Sequence, residues 1–427
     1  MRRYVSRTAD ALLSWSQLEP WRRTGLTLFL LDGLAVILVM SFASTYVPLY
    51  ALAMGATAFE VGLLSSAHSL GVIGGSALSG RLVTALGNPK RVTLYFGRVW
   101  HALSYLLLLA IPLFFTHTAA VRVLIVVYAL RTLIGETGVP AWAAFVPTLV
   151  PIQIRGRFMS LRSVFKMVAL MTIMPLAGAV ITGLGGYPFG YQVCFAAMAV
   201  LGLAATGFFR RIPDPTPAPE PAVIHEAPVR RGAWWRGPFG GFVCGLTVWT
   251  LGTALAAPFY VVFMTRDLGL DARAIGLLTA LNTAAQLVGF LLLGPQVDRR
   301  GNRGALVVSV ALLSLLPLGW LLVRHWTHIL PLYVLSGLAS AGMNLSSLNL
   351  LLELSPEDAR AGYAGAYYSL LAAATTIAPL IGSWLFAQGG FGGVVIAGGS
   401  GGLVGAGVLA ALLIAVPRRT QVGRMIP

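Results

Sequence analysis

The 427-residue chain is poor in charge: only 10% of its residues are Asp, Glu, Lys or Arg, and only 14 are acidic. A soluble chain of this length would form two or three domains and need a charged surface. With 57% hydrophobic residues and a mean hydropathy of +0.80, that surface is missing. Cysteine is almost absent, and Cys194 and Cys244 both fall in apolar stretches, which excludes a disulfide framework and a metal cluster. The Gly-rich tract at 389–402 is not followed by Gly-Lys-Ser/Thr, and there is no nucleophile elbow or Cys/His set at metal spacing. Nucleotide-driven work, enzyme chemistry and a resident cofactor are therefore all disfavoured. A cleavable leader is not expected either, because Asp10, Glu19, Pro20 and Arg22 interrupt the start of the chain. Leu12, Leu13, Trp15, Leu18 and Trp21 instead suggest a short amphipathic helix on a membrane surface.

What the chain has is long apolar runs, each able to cross a hydrocarbon core of ~30 Å as a helix of ~20 residues. Windows of that length place spans near 24–48, 59–83, 93–116, 120–145, 163–185 and 189–209. Six more follow near 239–264, 273–297, 304–324, 329–353, 364–388 and 391–416. The net charge of +16 does not imply nucleic acid, because the cations sit between the spans. One side collects Arg22, Arg23, Lys90, Arg91, Arg155, Arg157, Arg162, Arg210, Arg211, Arg299, Arg300, Arg303 and Arg418; the other has only Arg122, Arg266, Arg273 and Arg324. By the positive-inside rule both termini are cytoplasmic, which requires an even number of spans. The reading is an all-α membrane protein of twelve transmembrane helices in two pseudo-symmetric six-helix bundles. It divides into a cytoplasmic segment 1–23, a first bundle 24–210, a Pro-rich cytoplasmic linker 211–237, a second bundle 238–416 and a tail 417–427.

An internal repeat supports two bundles. At an offset of 214 residues Tyr46 meets Tyr260, Gly55 meets Gly269, Gly62 meets Gly276, Gly80 meets Gly294, and Gly87-Asn88 meets Gly301-Asn302. Such a duplication places a substrate site between the halves, near the bilayer midplane. The run Gly294-Pro-Gln-Val-Asp298-Arg299-Arg300-Gly301-Asn302-Arg303 resembles the loop signature Gly-x-x-x-Asp-Arg-x-Gly-Arg-Arg of the major facilitator superfamily. The first copy, from Gly80 through Gly87, is degenerate, with Thr84 and Ala85 in place of Asp and Arg. Arg131 and Gly135 resemble the family's Arg-x-x-x-Gly pattern in the fourth span. Pro175 and Gly178 resemble a fragment of the Gly-Pro-x-x-Gly-Gly pattern of drug/proton antiporters, and Pro379 and Gly382 repeat it. The resemblance implies that Gly80, Gly87, Gly294, Asp298, Arg299, Gly301 and Arg303 belong to a gate that biases one conformation as the halves rock.

A charge at the centre of a membrane helix costs roughly 2.5–3.5 kcal/mol even on the permissive insertion scale, so deep ionisable groups are functional candidates. Asp32 and Glu136 are the deep acids and Arg131 the deep cation; Arg98 and Lys166 are expected to snorkel to the cytoplasm. Arg131 and Glu136, five residues apart, lie about 140° apart on a helix and do not share a face. By resemblance, spans 1, 4, 7 and 10 line the central cavity, which sets Asp32 opposite Arg131 and Glu136. Asp32 and Glu136 then carry protons, Arg131 modulates them, and Asp32 and Arg131 also contact substrate. The rival reading is a static ion pair between spans 1 and 4. His68 and His101 are either proton relays or helix-packing residues. In the second half Trp249, Thr250, Tyr260, Asn282, Gln286 and Asn344 form a neutral, partly aromatic wall.

These features predict a monomeric secondary transporter in the inner membrane of a prokaryote. Its partners are a small-molecule substrate, protons and membrane lipids, with no nucleic acid, and proton-coupled multidrug efflux of amphiphilic or cationic compounds is the leading expectation. Proton symport of a nutrient or anion and lipid translocation on the same fold are the alternatives, and an export substrate should be displaced by protons whereas a symport substrate should bind more tightly in acid.

Overall fold

The computed structural model describes residues 18–214, 237–356 and 359–414, and within them not the side chains at 117, 298–300, 361 and 414. The expected surface helix before Leu18 and the body of the Pro-rich linker lie outside these residues. Every regular element described is helical. The first half contains α1 (Pro20–Ala53), α2 (Ala58–Leu86), α3 (Pro89–Phe114), α4 (His117–Gly135), α5 (Gly138–Leu149), α6 (Ile152–Gly183) and α7 (Phe189–Arg211). The second contains α8 (Pro238–Ala254), α9 (Phe259–Arg266), α10 (Ala272–Arg300), α11 (Asn302–Gly319), α12 (Ile329–Leu354) and α13 (Arg360–Ile414).

Among the described residues, 11 helical stretches are long and apolar enough to cross a membrane, so the chain is an integral membrane protein. The expected spans 364–388 and 391–416 fall in the 55-residue stretch α13, two helices joined across a kink at Gly390 (φ 60°, ψ −158°). Three other spans differ from expectation. α6 starts at Ile152, eleven residues before the expected 163, because Arg155, Arg157 and Arg162 depress the hydropathy of a segment that is still helical. The expected span 239–264 is broken into α8 and α9 around residues 255–258. α3 is π-helical from Tyr95 to Trp100, which shifts the register of the following side chains.

The repeat seen in sequence recurs in backbone geometry. Gly55 (φ 93°) and Gly269 (φ 64°) both take positive φ, as do Gly87 (φ 65°) and Gly301 (φ 89°), conformations open to glycine because it lacks Cβ; Gly87 is left-handed helical (ψ 6°) whereas Gly301 is extended (ψ 155°). Two residues after the first pair come equivalent N-caps. Thr57 forms a capping box with Glu60, accepting from its backbone N at 3.2 Å, and Asp271 accepts from Ala274 N at 2.8 Å.

Within each half, helices approach through small residues, as expected where lipid removes the hydrophobic drive for association. α8 lies along α13 with Gly252 against the backbone of Gly401 and Gly402, and Gly245 against Leu409. Between the halves, the close approaches gather at the Arg-poor end. Gly178 on α6 faces Ala272 and Arg273, Gly276 on α10 faces Met174 and the Tyr46 hydroxyl, and Gly62 on α2 faces Pro379 and Ser383. Arg266 Nη2 donates to Ala56 O at 2.5 Å and Arg273 N donates to Thr182 Oγ1 at 3.3 Å across the same seam. At the Arg-rich end the loops bond within their own half: Asn88 Nδ2 donates to Asp214 at 2.8 Å, and Asn349 Nδ2 donates to Asn302 Oδ1 at 2.9 Å.

Because a Cβ on Gly252 would meet backbone that no rotamer change can move, Gly252→Val should destabilise the protein by about 1–3 kcal/mol. Thermal unfolding of the purified protein in detergent measures this; an unchanged midpoint would show that α8 and α13 are not held at this crossing.

Candidate binding cavity and buried charges

The glycine contacts close the Arg-poor end but leave a cavity between the halves. It consists of two adjoining chambers of about 440 Å³ and 480 Å³ that share Ala254, Ala257, Tyr260, Tyr333 and Thr375. The first chamber is lined from both halves, with Ser44, Thr45, Ser65 and His68 facing Val261, Met264 and Thr279. The second lies within the second half, between α8, α10, α11 and α12.

Four of the neutral residues singled out in sequence line it: Trp249, Thr250, Tyr260 and Asn282. The Trp249 indole N–H is committed inward, 3.0 Å from Ser314 Oγ and 3.2 Å from Val310 O, which fixes the ring at the wall. Asn282 Nδ2 donates to Tyr333 O at 3.0 Å. The buried Thr250 hydroxyl has no partner, so it is a hydrogen-bonding group available to a guest. Gln286, one turn further along α10, and Asn344, exposed one turn beyond Ser340, line neither chamber. The aromatic wall is larger than the sequence reading supposed. Tyr260 stacks on Trp320 at 4.8 Å and Trp320 meets Tyr333 edge-on at 6.4 Å. Trp320 escaped notice because it lies at the end of α11, far in sequence from α8, and only the bundle brings them together.

The charged residues are arranged differently from expectation. Asp32, fully buried on α1, does not face Arg131; it is gripped by Arg98 of α3 in a two-pronged pair, Nε to Oδ1 at 2.6 Å and Nη2 to Oδ2 at 2.9 Å. This bidentate geometry is the one that best offsets the desolvation of both ions. Arg98 does not snorkel: it lies within the π-helical stretch, 7% exposed, with its guanidinium 4.9 Å over Phe209. The buried pair thus joins spans 1 and 3, not spans 1 and 4.

Arg131, 3% exposed on α4, lays its guanidinium 4.8 Å over the Tyr105 ring, with Nε and Nη2 unbonded. Glu136 is half-buried at the C-terminal cap of α4, beside Gly75 of α2, and forms no ion pair among the described residues. His68 reaches the cavity, stacked on Tyr128 at 5.4 Å and 3.2 Å from Thr132 Oγ1, whereas His101 is buried against Gly135. Arg162, assigned from sequence to the cytoplasmic surface, is buried in the first half, its guanidinium 4.8 Å over Phe29 and 5.1 Å over Trp142. Of the residues expected to gate, Gly87 and Gly301 both take positive φ. Gly80 and Gly294 contact nothing across the halves, and Arg303 Nη1 donates to Leu413 O at 3.5 Å. The side chains of Asp298 and Arg299 lie outside those described.

Two helical halves that share a backbone repeat and enclose a cavity between them have the architecture of a membrane transporter. The Major Facilitator Superfamily profile matches residues 28–254 and 239–424, and the chain belongs to that family. No curated protein matches it by sequence. Among solved structures it is similar to the nucleoside transporter NupG, with 13% identity, a TM-score of 0.70 and coverage of 91% of this chain and 99% of that one. It is also similar to a bacterial homologue of the iron transporter ferroportin in an inward-facing state (17%, TM-score 0.69, 91% and 98%) and to a POT family peptide transporter (11%, TM-score 0.72, 94% and 98%). At these identities the likeness shows the fold.

Removing one member of a buried ion pair strands the other, at a cost of about 3–5 kcal/mol. Asp32→Asn should therefore lower the unfolding midpoint strongly, and the double variant Asp32→Asn/Arg98→Gln should recover most of the loss. A double variant no more stable than the single one would mean that the pair is not what holds α1 to α3.

Proposed function

We propose that the chain is a proton-coupled secondary transporter that exports amphiphilic small molecules by alternating access. In this reading the Arg-rich end faces the cytoplasm of a prokaryotic cell, and α13 crosses the membrane twice by bending at Gly390, which makes twelve crossings. A straight 55-residue helix would be about 80 Å long, far beyond a hydrocarbon core of ~30 Å.

The observation that carries the reading is the paired chamber: together its halves have the size of a small-molecule site, an aromatic wall, and few polar groups, among them the unpartnered Thr250 hydroxyl. No carboxylate lines either chamber, which favours the amphiphile over a cation that needs a countercharge. Rocking about the glycine seam would open the Arg-poor end and close the Arg-rich one. The Pro175–Gly178 fragment that resembles antiporters lies on α6 at this seam, which favours export. Proton coupling is assigned to two groups. His68 lines the cavity, and the Asp32–Arg98 pair would open if Asp32 took up a proton and Arg98 found another partner. Arg131 and Glu136, set apart from the chambers, act through α4.

Proteoliposomes loaded with the cationic amphiphile ethidium or the permanent anion 2-naphthalenesulfonate, then given an acid exterior, test this. Efflux of at least one probe should accelerate under the gradient, and Tyr260→Ala and Asn282→Ala should each slow it by about tenfold, an effect of 1.4 kcal/mol. Efflux of both probes no faster than from protein-free vesicles would overturn the reading.

A further inference from the structure

Below the central cavity, toward the Arg-rich end, the first half contains a separate recess of about 170 Å³ between α1, α3, α4, α5 and α6. Its walls carry three cations, Arg98, Arg162 and Lys166, together with His101 and Trp142, and no carboxylate. Asp32 lies behind the wall, and both its oxygens are taken by Arg98. Arg162 and Lys166 have no ion-pair partner among the described residues. Two of the lining groups, each more than nine-tenths buried, have a nitrogen without a hydrogen-bond partner, Nε of Arg162 packed against Gly33 and Nδ1 of His101 packed against Gly135 at the wall of the recess.

A buried guanidinium with an unmade hydrogen bond is costly to leave so, more than a neutral donor. In the first half three cations gather around one committed acid, which leaves an excess of positive charge facing an empty space. The complement to that excess is an oxyanion. The volume admits a headgroup and a few further atoms, well under the ~300 Å³ of a whole small-molecule site. Met40 lines the recess and Ser44, one helical turn of about 5.4 Å further along α1, lines the central cavity. The apolar body of a guest whose charged end occupies the recess would therefore point along α1 toward the first chamber.

We propose that this recess is a binding site for a singly charged oxyanion headgroup, carboxylate, sulfonate or phosphodiester, on an amphiphilic molecule. The inference rests on the cavity reading above for the body of the molecule but not for its charge. Arg162 and Lys166 supply the attraction, and Arg98 can exchange its second prong from Asp32 to the guest. The same chemistry is offered by a soluble amphiphile and by an anionic lipid headgroup.

The full-length protein in phosphatidylcholine nanodiscs is titrated calorimetrically with 2-naphthalenesulfonate and with its uncharged counterpart 2-naphthalenesulfonamide. The sulfonate should bind at least about tenfold more tightly. Arg162→Gln and Lys166→Gln should each remove most of that preference while leaving sulfonamide affinity unchanged, and Arg162→Lys should retain it. Lys166 is only half-buried, so its variant remains informative if Arg162→Gln fails to fold. Equal affinities in the wild type, or a preference intact in Lys166→Gln and in every Arg162 variant that folds, would overturn the site. Discs made with phosphatidylglycerol separate the sources: abolished sulfonate binding assigns the site to lipid headgroups, and retained binding assigns it to soluble amphiphiles. Arg162 and Lys166 take no part in the coupling assigned to His68 and the Asp32–Arg98 pair, so wild-type ethidium efflux alongside equal sulfonate and sulfonamide affinities would remove the anion site and leave the transport reading standing.

Discussion

An ionised side chain in hydrocarbon has to be paired, laid against an aromatic face or turned toward water, because no other arrangement offsets its lost hydration. In the first half Asp32 and Arg98 take the first course, and Arg131 over Tyr105 and Arg162 over Phe29 and Trp142 take the second. Lys166, half-buried along the recess, takes the third. The second half presents neutral groups to the cavity and builds its wall from Trp249, Tyr260, Trp320 and Tyr333 instead. The two halves thus differ: one holds charge at depth, the other offers an apolar, aromatic surface to the cavity.

The duplication survives where backbone geometry demands it. Glycine is kept at the turns after α1 and α9 and at the loops after α2 and α10, where the chain takes positive φ, and at Gly62 and Gly276, where the halves touch. It is lost where side chains do chemistry. Tyr46 is fully buried with its hydroxyl 2.5 Å from Met174 O, while its counterpart Tyr260 lines the cavity. Thr84, in the place Asp298 has in the other copy, bonds only to Gly80 O of its own helix at 3.1 Å. A seam of small residues gives close contact without interlocked long side chains, which suits surfaces that must part and meet again.

The spans, the two halves and four wall residues were legible in the sequence because hydropathy, an offset repeat and residue type report them directly. The partner of Asp32 was not. Counting from the start of α3, Arg98 looks close enough to the membrane surface to reach it, and only the π-helical register and the packing of α7 over it turn the side chain inward. Arg162 was hidden by a different effect: charged residues lowered the local hydropathy and concealed that α6 begins at Ile152, ten residues earlier or about 15 Å along a helix. The spacing of Arg162 and Lys166, one turn apart on that helix, was the available signal. The break between the last two spans is tighter than the Gly-rich stretch at 389–393 suggests, since only Gly390 departs from helical geometry.

The central claim is that solute crosses because the seam between the halves opens and closes. Thr182 and Arg273 touch across it, Arg273 N lying 3.3 Å from Thr182 Oγ1. In a background of Cys194→Ala and Cys244→Ala, the paired substitutions Thr182→Cys and Arg273→Cys allow a disulfide to lock that end shut. Oxidised protein in proteoliposomes should show no solute efflux and reduction should restore it; efflux that continues at full rate with the bond formed would contradict the account.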